Sequence, residues 1–240
     1  MEPELDQIDH EASPKPLRRL VIITLAVLVL VGAGLAIWAI TRPSSSSAPS
    51  GPEGVPLSRA PDLAPATTTL DGQPVGPITC VTESEEHVKY HIHSYVSFYV
   101  QGQARRLPAG LGITQPWLVE KFPSGVFYDV GPRNCLYWIH THTNDDIVHV
   151  EAPAKGTFTL GQLFAIWNQP LSSSQVGPAT GPVVVFVNGK RYRGDISSVP
   201  LVDHGTIQID IGSPVVPFQA KTFEVTGLCG QGTTSCTSKK

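Results

Sequence analysis

Between residues 88 and 100 apolar and polar side chains alternate. Val88, Tyr90, Ile92, Val96, Phe98 and Val100 fall on one face, and His87, Lys89, His91, His93, Tyr95, Ser97 and Tyr99 on the other. A period of two over that length predicts a long strand with one core-facing side. Gln101-Gly102 then predicts a turn into a second strand over 103–107. A further hairpin is marked by Val183–Val187, Asn188-Gly189 and 190–193, because Asn-Gly is the strongest short hairpin signal. Ile207, Ile209 and Ile211 alternate in another strand. Only one stretch has clear helical spacing: Leu160, Leu163, Phe164 and Trp167, with Thr157 or Thr159 as N-cap and Pro170 as the stop. A second short helix is expected over 116–122. The 22 Gly and 22 Pro imply many turns. The pattern predicts a mainly β domain (β-rich α+β), an antiparallel sheet or sandwich with one or two short packed helices.

The N-terminal part follows different rules. Residues 20–40 contain no charged side chain and are mostly Leu, Ile, Val and Ala. A run of about 20 such residues spans the hydrocarbon core of a bilayer as a helix. Lys15, Arg18 and Arg19 precede it closely and only Arg42 follows closely, which places the N-terminus in the cytoplasm; Trp38 suits the outer interface. A cleaved signal peptide is the alternative, but its apolar core runs only about 7–15 residues. The stretch that follows holds Ser44, Ser45, Ser46, Ser47 and many prolines, with few large apolar residues, so an extended, mobile tether is expected. The expected organisation is therefore a cytoplasmic tail over 1–19, a transmembrane helix over 20–40, and a Pro/Ser-rich linker over 41–77. An extracytoplasmic β-rich domain over 78–226 and a tail over 227–240 complete it, the whole being a single-pass protein of the cell membrane.

A net charge of −3 with balanced acids and bases excludes an evident nucleic-acid face. No phosphate-binding Gly loop, nucleophile elbow or HExxH helix is present, so nucleotide and peptidase chemistry have no support. All four cysteines follow the apolar run, in a compartment that permits disulfides. Four cysteines allow three connectivities. Cys229 and Cys236 enclose a short Gly/Thr/Ser loop that closes easily, leaving Cys80 with Cys135; the rival is a metal thiolate at Cys135.

Five of the eight histidines sit in two sets, His91 and His93, then His140, His142 and His149. Positions i and i+2 of a strand share a face, so each His-x-His pair can aim both rings at one point. Thr143-Asn144-Asp145-Asp146 is turn chemistry between two apolar runs. A hairpin symmetric about Asn144/Asp145 sets His140 opposite His149, with His142 and Glu151 one step away on the same face. Directly opposed Cβ atoms lie about 4.5–5.5 Å apart, close enough for two imidazoles to hold one ion. The expectation is one transition-metal ion, copper or zinc, held by His91, His93, His140, His142 and His149. Glu151 is the candidate base or additional ligand, and Asp145 or Asp146 an outer partner. His87 and His204 are expected to be ordinary surface histidines. Met1 is the only methionine, which argues against a thioether-rich Cu(I) carrier.

The runs YHIHSYVSFYVQGQARRLPAGLGI, CLYWIHTHTNDDIVHVEAP and FTLGQLFAIWNQPL resemble a family of uncharacterised prokaryotic proteins with membrane-anchored, extracytoplasmic domains. The resemblance spans roughly residues 80–215. It implies the location and the histidine cluster, and carries no settled activity. Where the family pattern has HTHD, this chain has His140-Thr141-His142-Thr143, with Asp145 later. Two function classes follow: metal sequestration, sensing or metal-centred catalysis, and a non-enzymatic envelope module that binds protein or polymer around a structural histidine cluster.

Overall fold

A computed structural model describes residues 49–66, 70–85 and 87–227. The predicted span over 20–40, Cys229 and Cys236 lie outside these residues, and no helix among those described is long and apolar enough to cross a membrane.

The strands are β1 (Cys80–Val81), β2 (Tyr90–Val100), β3 (Gln103–Arg105), β4 (Leu118–Phe122), β5 (Gly125–Asp129), β6 (Leu136–Tyr137), β7 (Ile139–His140) and β8 (Ile147–Ala152). After the one α-helix described, α1 (Leu160–Trp167), come β9 (Leu171–Ser172), β10 (Gln175–Val176), β11 (Ala179–Thr180), β12 (Val183–Val187), β13 (Lys190–Arg191) and β14 (Gly205–Ile211). The principal sheet runs β13-β12-β14-β2-β8-β7, with β3 also paired to β2. Both predicted hairpins form. Asn188 and Gly189 have φ of 49° and 80°, as a two-residue hairpin with right-handed twist requires, and Gln101 and Gly102 repeat the pattern at 51° and 76°.

The sheet is not wholly antiparallel. β14 pairs β2 in parallel, Gly205 opposite Ser94 through Ile211 opposite Val100. The long excursion through α1 supplies the crossover that a parallel neighbour needs.

Helix α1 starts with a capping box, Thr159 Oγ1 accepting from Gln162 N while the Gln162 side chain accepts from Thr159 N. Asn168, in the left-handed region at φ 56°, ends it. Its apolar face covers one side of β2: Phe98 meets Phe164 and Trp167 at ring distances of 6.1 and 6.4 Å.

The other side of β2 is covered too. His91, His93 and Ser97 are buried although they alternate with the core residues. The cover comes from irregular chain. Val55 joins Ile147, Phe223 and Val225 in a small cluster against Tyr95.

Residues 49–66 therefore do not extend away as a tether. Val55, Leu63 and Ala64 are buried, Leu63 within the main core, and Trp167 Nε1 donates to Pro65 O at 2.8 Å. Few apolar residues suffice here because Leu63 and Ala64 join the main core and Val55 the small cluster beside Tyr95, with no periodic face needed.

The second expected helix is instead strand β4, paired with β5 from Leu118 opposite Asp129 to Phe122 opposite Gly125. Pro123-Ser124 make the turn, and the pairing leaves Val119, Phe122 and Val126 on the surface. One expected bridge is formed: Cys80 and Cys135, with Cα atoms 5.3 Å apart, tie β1 to the start of β6, so Cys135 is no thiolate ligand.

Candidate metal centre

The centre is built on three adjacent strands. The turn between β7 and β8 is shaped by Asp145, whose Oδ1 accepts from Ile147 N at 3.1 Å, and by Asp146, in the left-handed region at φ 67°. Asp146 also accepts from Leu107 N at 3.0 Å and from the Tyr95 hydroxyl at 3.3 Å. This turn sets His140 opposite His149. On the far side of β8, His149 lies opposite His93, and Glu151 opposite His91. His140, His149 and His93 thus form one cross-strand row, with His91 and Glu151 one step along it. Gly112 lets the neighbouring loop press on this row: at φ +78°, an added Cβ would lie 2.5 Å from Ile139 O and 3.0 Å from His140 Cβ.

The five rings divide into two overlapping triads. In each, His91/His93/His149 and His140/His142/His149, one potential ligand atom per residue lies within 4.8 Å of the others. All five are buried, His140 and His149 completely.

Two rings are oriented by the backbone. His140 Nδ1–H donates to Tyr137 O at 2.8 Å and His142 Nδ1–H donates to Tyr128 O at 2.7 Å, since a carbonyl can only accept. Their Nε2 atoms then face each other at 3.0 Å. Phe127 stacks on the His142 ring at 4.4 Å and holds its plane.

Two carboxylates complete the centre. Glu151 Oε1 lies 2.9 Å from His91 Nε2 and 3.7 Å from His149 Nδ1, with Oε2 4.0 Å from His140 Nε2. Glu53 Oε1 lies 2.9 Å from His149 Nε2. Glu53 was not legible as a site residue. It stands alone among Gly and Pro in the stretch that reads as a linker.

Burial and charge set the protonation states. Burial holds the His140 ring down at about 3, helped by the neighbouring His142, and lowers His93 and His142 as well. For His149, burial opposes the charge but Glu53 and Glu151 outweigh it and push the ring up to about 10. Glu53 is likewise carried down to about 2 by His149 against the effect of burial, and Glu151 is lowered by His149 and His91 against the same effect. Asp145 is raised by burial and by the Glu53 charge. Asp145 thus acts on Glu53 as well as on the turn.

The remaining described histidines stand apart. His87 is exposed, and the exposed His204 pairs with Asp203 at 2.8 Å and Glu224 at 3.3 Å; neither belongs to a triad.

No protein-family model, curated protein or solved structure matches this chain. The functional reading therefore rests on the site's own chemistry.

Proposed function

We propose that the domain binds a transition-metal ion, copper or zinc, at the buried histidine cluster, for sequestration or sensing on the outer side of a membrane. One observation carries the reading. His140 and His142 each commit Nδ1–H to a backbone carbonyl, so their Nε2 lone pairs face each other at 3.0 Å. Two buried lone pairs at that distance repel unless a cation lies between or beside them. A proton is a poor candidate, because burial disfavours the charged form of both rings. A metal ion is a good one: ligating histidines characteristically donate the other ring nitrogen to a carbonyl or carboxylate, which fixes tautomer and orientation. Imidazole-rich sites suit copper and zinc.

Complete burial of His140 and His149 fits retention of the ion better than turnover of a large substrate. Glu151 reaches a small surface cavity of about 150 Å³, lined also by Val81, Glu85, His87, Val88, Trp138 and Pro153. This cavity is the route by which an ion or a small molecule would reach the cluster.

The membrane anchor belongs to the same proposal, supported by the uncharged run over 20–40 and by the disulfide, which suits an oxidising compartment. The decisive experiment is metal analysis of full-length protein purified without a His tag. Stoichiometric copper or zinc is expected; folded protein that takes up neither at neutral pH overturns the reading. The envelope-module alternative would then stand.

A further inference from the structure

The cluster holds more ligands than one ion needs, and they do not share one centre. A tetrahedral ion with metal–nitrogen bonds of about 2.0–2.1 Å keeps its nitrogens roughly 3.4 Å apart. The five imidazoles fall into two triads with only His149 in common. We propose that the centre takes two transition-metal ions, one held by His91, His93 and His149 with Glu151, the other by His140, His142 and His149 with Glu53, and that the His149 ring bridges them. The inference rests on the metal-binding reading above and extends it.

His149 differs from the rings that serve a single ion. His140 and His142 spend one nitrogen on a carbonyl and keep one free. Neither nitrogen of His149 is aligned in a hydrogen bond among the described residues. Instead each faces a different carboxylate, Nε2 toward Glu53 at 2.9 Å and Nδ1 toward Glu151 at 3.7 Å. Its neighbours across the sheet are His140 on one strand and His93 on the other. A ring in the middle of the row, with ligand-rich surroundings at both nitrogens, is placed to bridge. His93 Nε2 and His91 Nε2 are also buried without an aligned hydrogen bond, so the first triad has lone pairs to give as well as the second.

Charge points the same way. Glu53 and Glu151 are buried around these rings, and no Lys or Arg is among the buried residues described. Buried carboxylates need a compensating positive charge. Two divalent ions sharing a deprotonated His149 ring, each beside one glutamate, supply it. In forming that bridge the His149 ring becomes an imidazolate, its N–H hydrogens passing to solvent as protons while each ring nitrogen takes one ion.

The test uses the full chain in detergent, untagged, stripped with a strong chelator and dialysed against Cu(II) in the presence of a weak competing chelator. Native mass spectrometry should find two copper ions per chain. Low-temperature EPR should integrate to far less than the copper bound, because an imidazolate bridge couples the two spins. His93→Ala and His140→Ala should each retain one ion with full EPR intensity. One ion in the wild type overturns the two-ion centre and leaves the single-ion reading standing; none overturns both. Two ions with full EPR intensity overturn the shared His149 bridge. If an alanine variant fails to fold by circular dichroism, the wild-type stoichiometry and spin count decide alone.

Discussion

Glu53 and His149 meet at 2.9 Å with both side chains wholly buried, joining the non-periodic segment 49–66 to strand β8. In the metal-free protein this is an ion pair, and removing one partner of a buried pair costs about 3–5 kcal/mol. Glu53→Gln should lower the stability of chelator-treated protein by that order at pH 6 in urea unfolding. The sign of its pH dependence is fixed by the two shifts. His149 is raised to about 10, so its contribution is complete below its ordinary value of 6.5 and is lost as pH rises through 10. Glu53 is lowered to about 2, so its contribution is present above its ordinary 4.5 and is lost as pH falls through 2. The wild-type minus Glu53→Gln difference should be greatest between these ordinary values; a difference that grows toward pH 10 contradicts the pairing.

Metal binding must displace the His149 proton. His140, held at about 3, is already neutral at pH 5, and burial lowers His93 and His142 as well. Affinity should therefore rise by roughly tenfold per pH unit between about pH 5 and 9, one proton leaving per ion. Calorimetry in buffers of different ionisation enthalpy counts those protons. A steep loss confined to the range near pH 6, as unshifted imidazoles would give, is the contrary result.

How much of this was legible in the sequence depended on whether a feature was local. The turn Asn144-Asp145 fixes a register, so the opposition of His140 and His149 could be read directly. The Asn188-Gly189 hairpin and the capped helix were equally local. The parallel pairing of β14 with β2 was not, because alternation carries no strand direction. The second buried face of β2 was hidden for a related reason: its cover is irregular chain around Val55, Phe223 and Val225, which has no period. Glu53 came with that cover. The run Leu118–Phe122 was too short for periodicity to separate helix from strand.

The Cys80–Cys135 bridge should act on stability and not on the metal. It joins residues 55 apart in sequence, a loop whose closure entropy corresponds to about 4 kcal/mol in the chain-entropy model. Cys80→Ser/Cys135→Ser should lower the unfolding midpoint while the metal stoichiometry stays that of the wild type. Loss of metal from a double variant that remains folded would show that Cys135 or its loop holds the ion.

Gly112 tests whether the site depends on the fit of its surroundings. Its φ of +78° is already costly for any other residue, and a Cβ there would stand 2.5 Å from Ile139 O, against backbone that cannot swing aside. Gly76 separates the two effects, since its φ is +58° and nothing lies within 4 Å of an added Cβ. Gly76→Ala should cost only the left-handed conformation, about 1–2 kcal/mol, and leave metal affinity unchanged. Gly112→Ala carries the same conformational cost plus displacement of 139–140, which moves His140 away from His142. Enzymes and binding sites lose heavily on shifts of about 1 Å, so its metal affinity should fall at least tenfold even where the protein remains folded. Equal affinities for the two variants, measured by competition with a chromophoric chelator, would mean that His140 carries little of the binding.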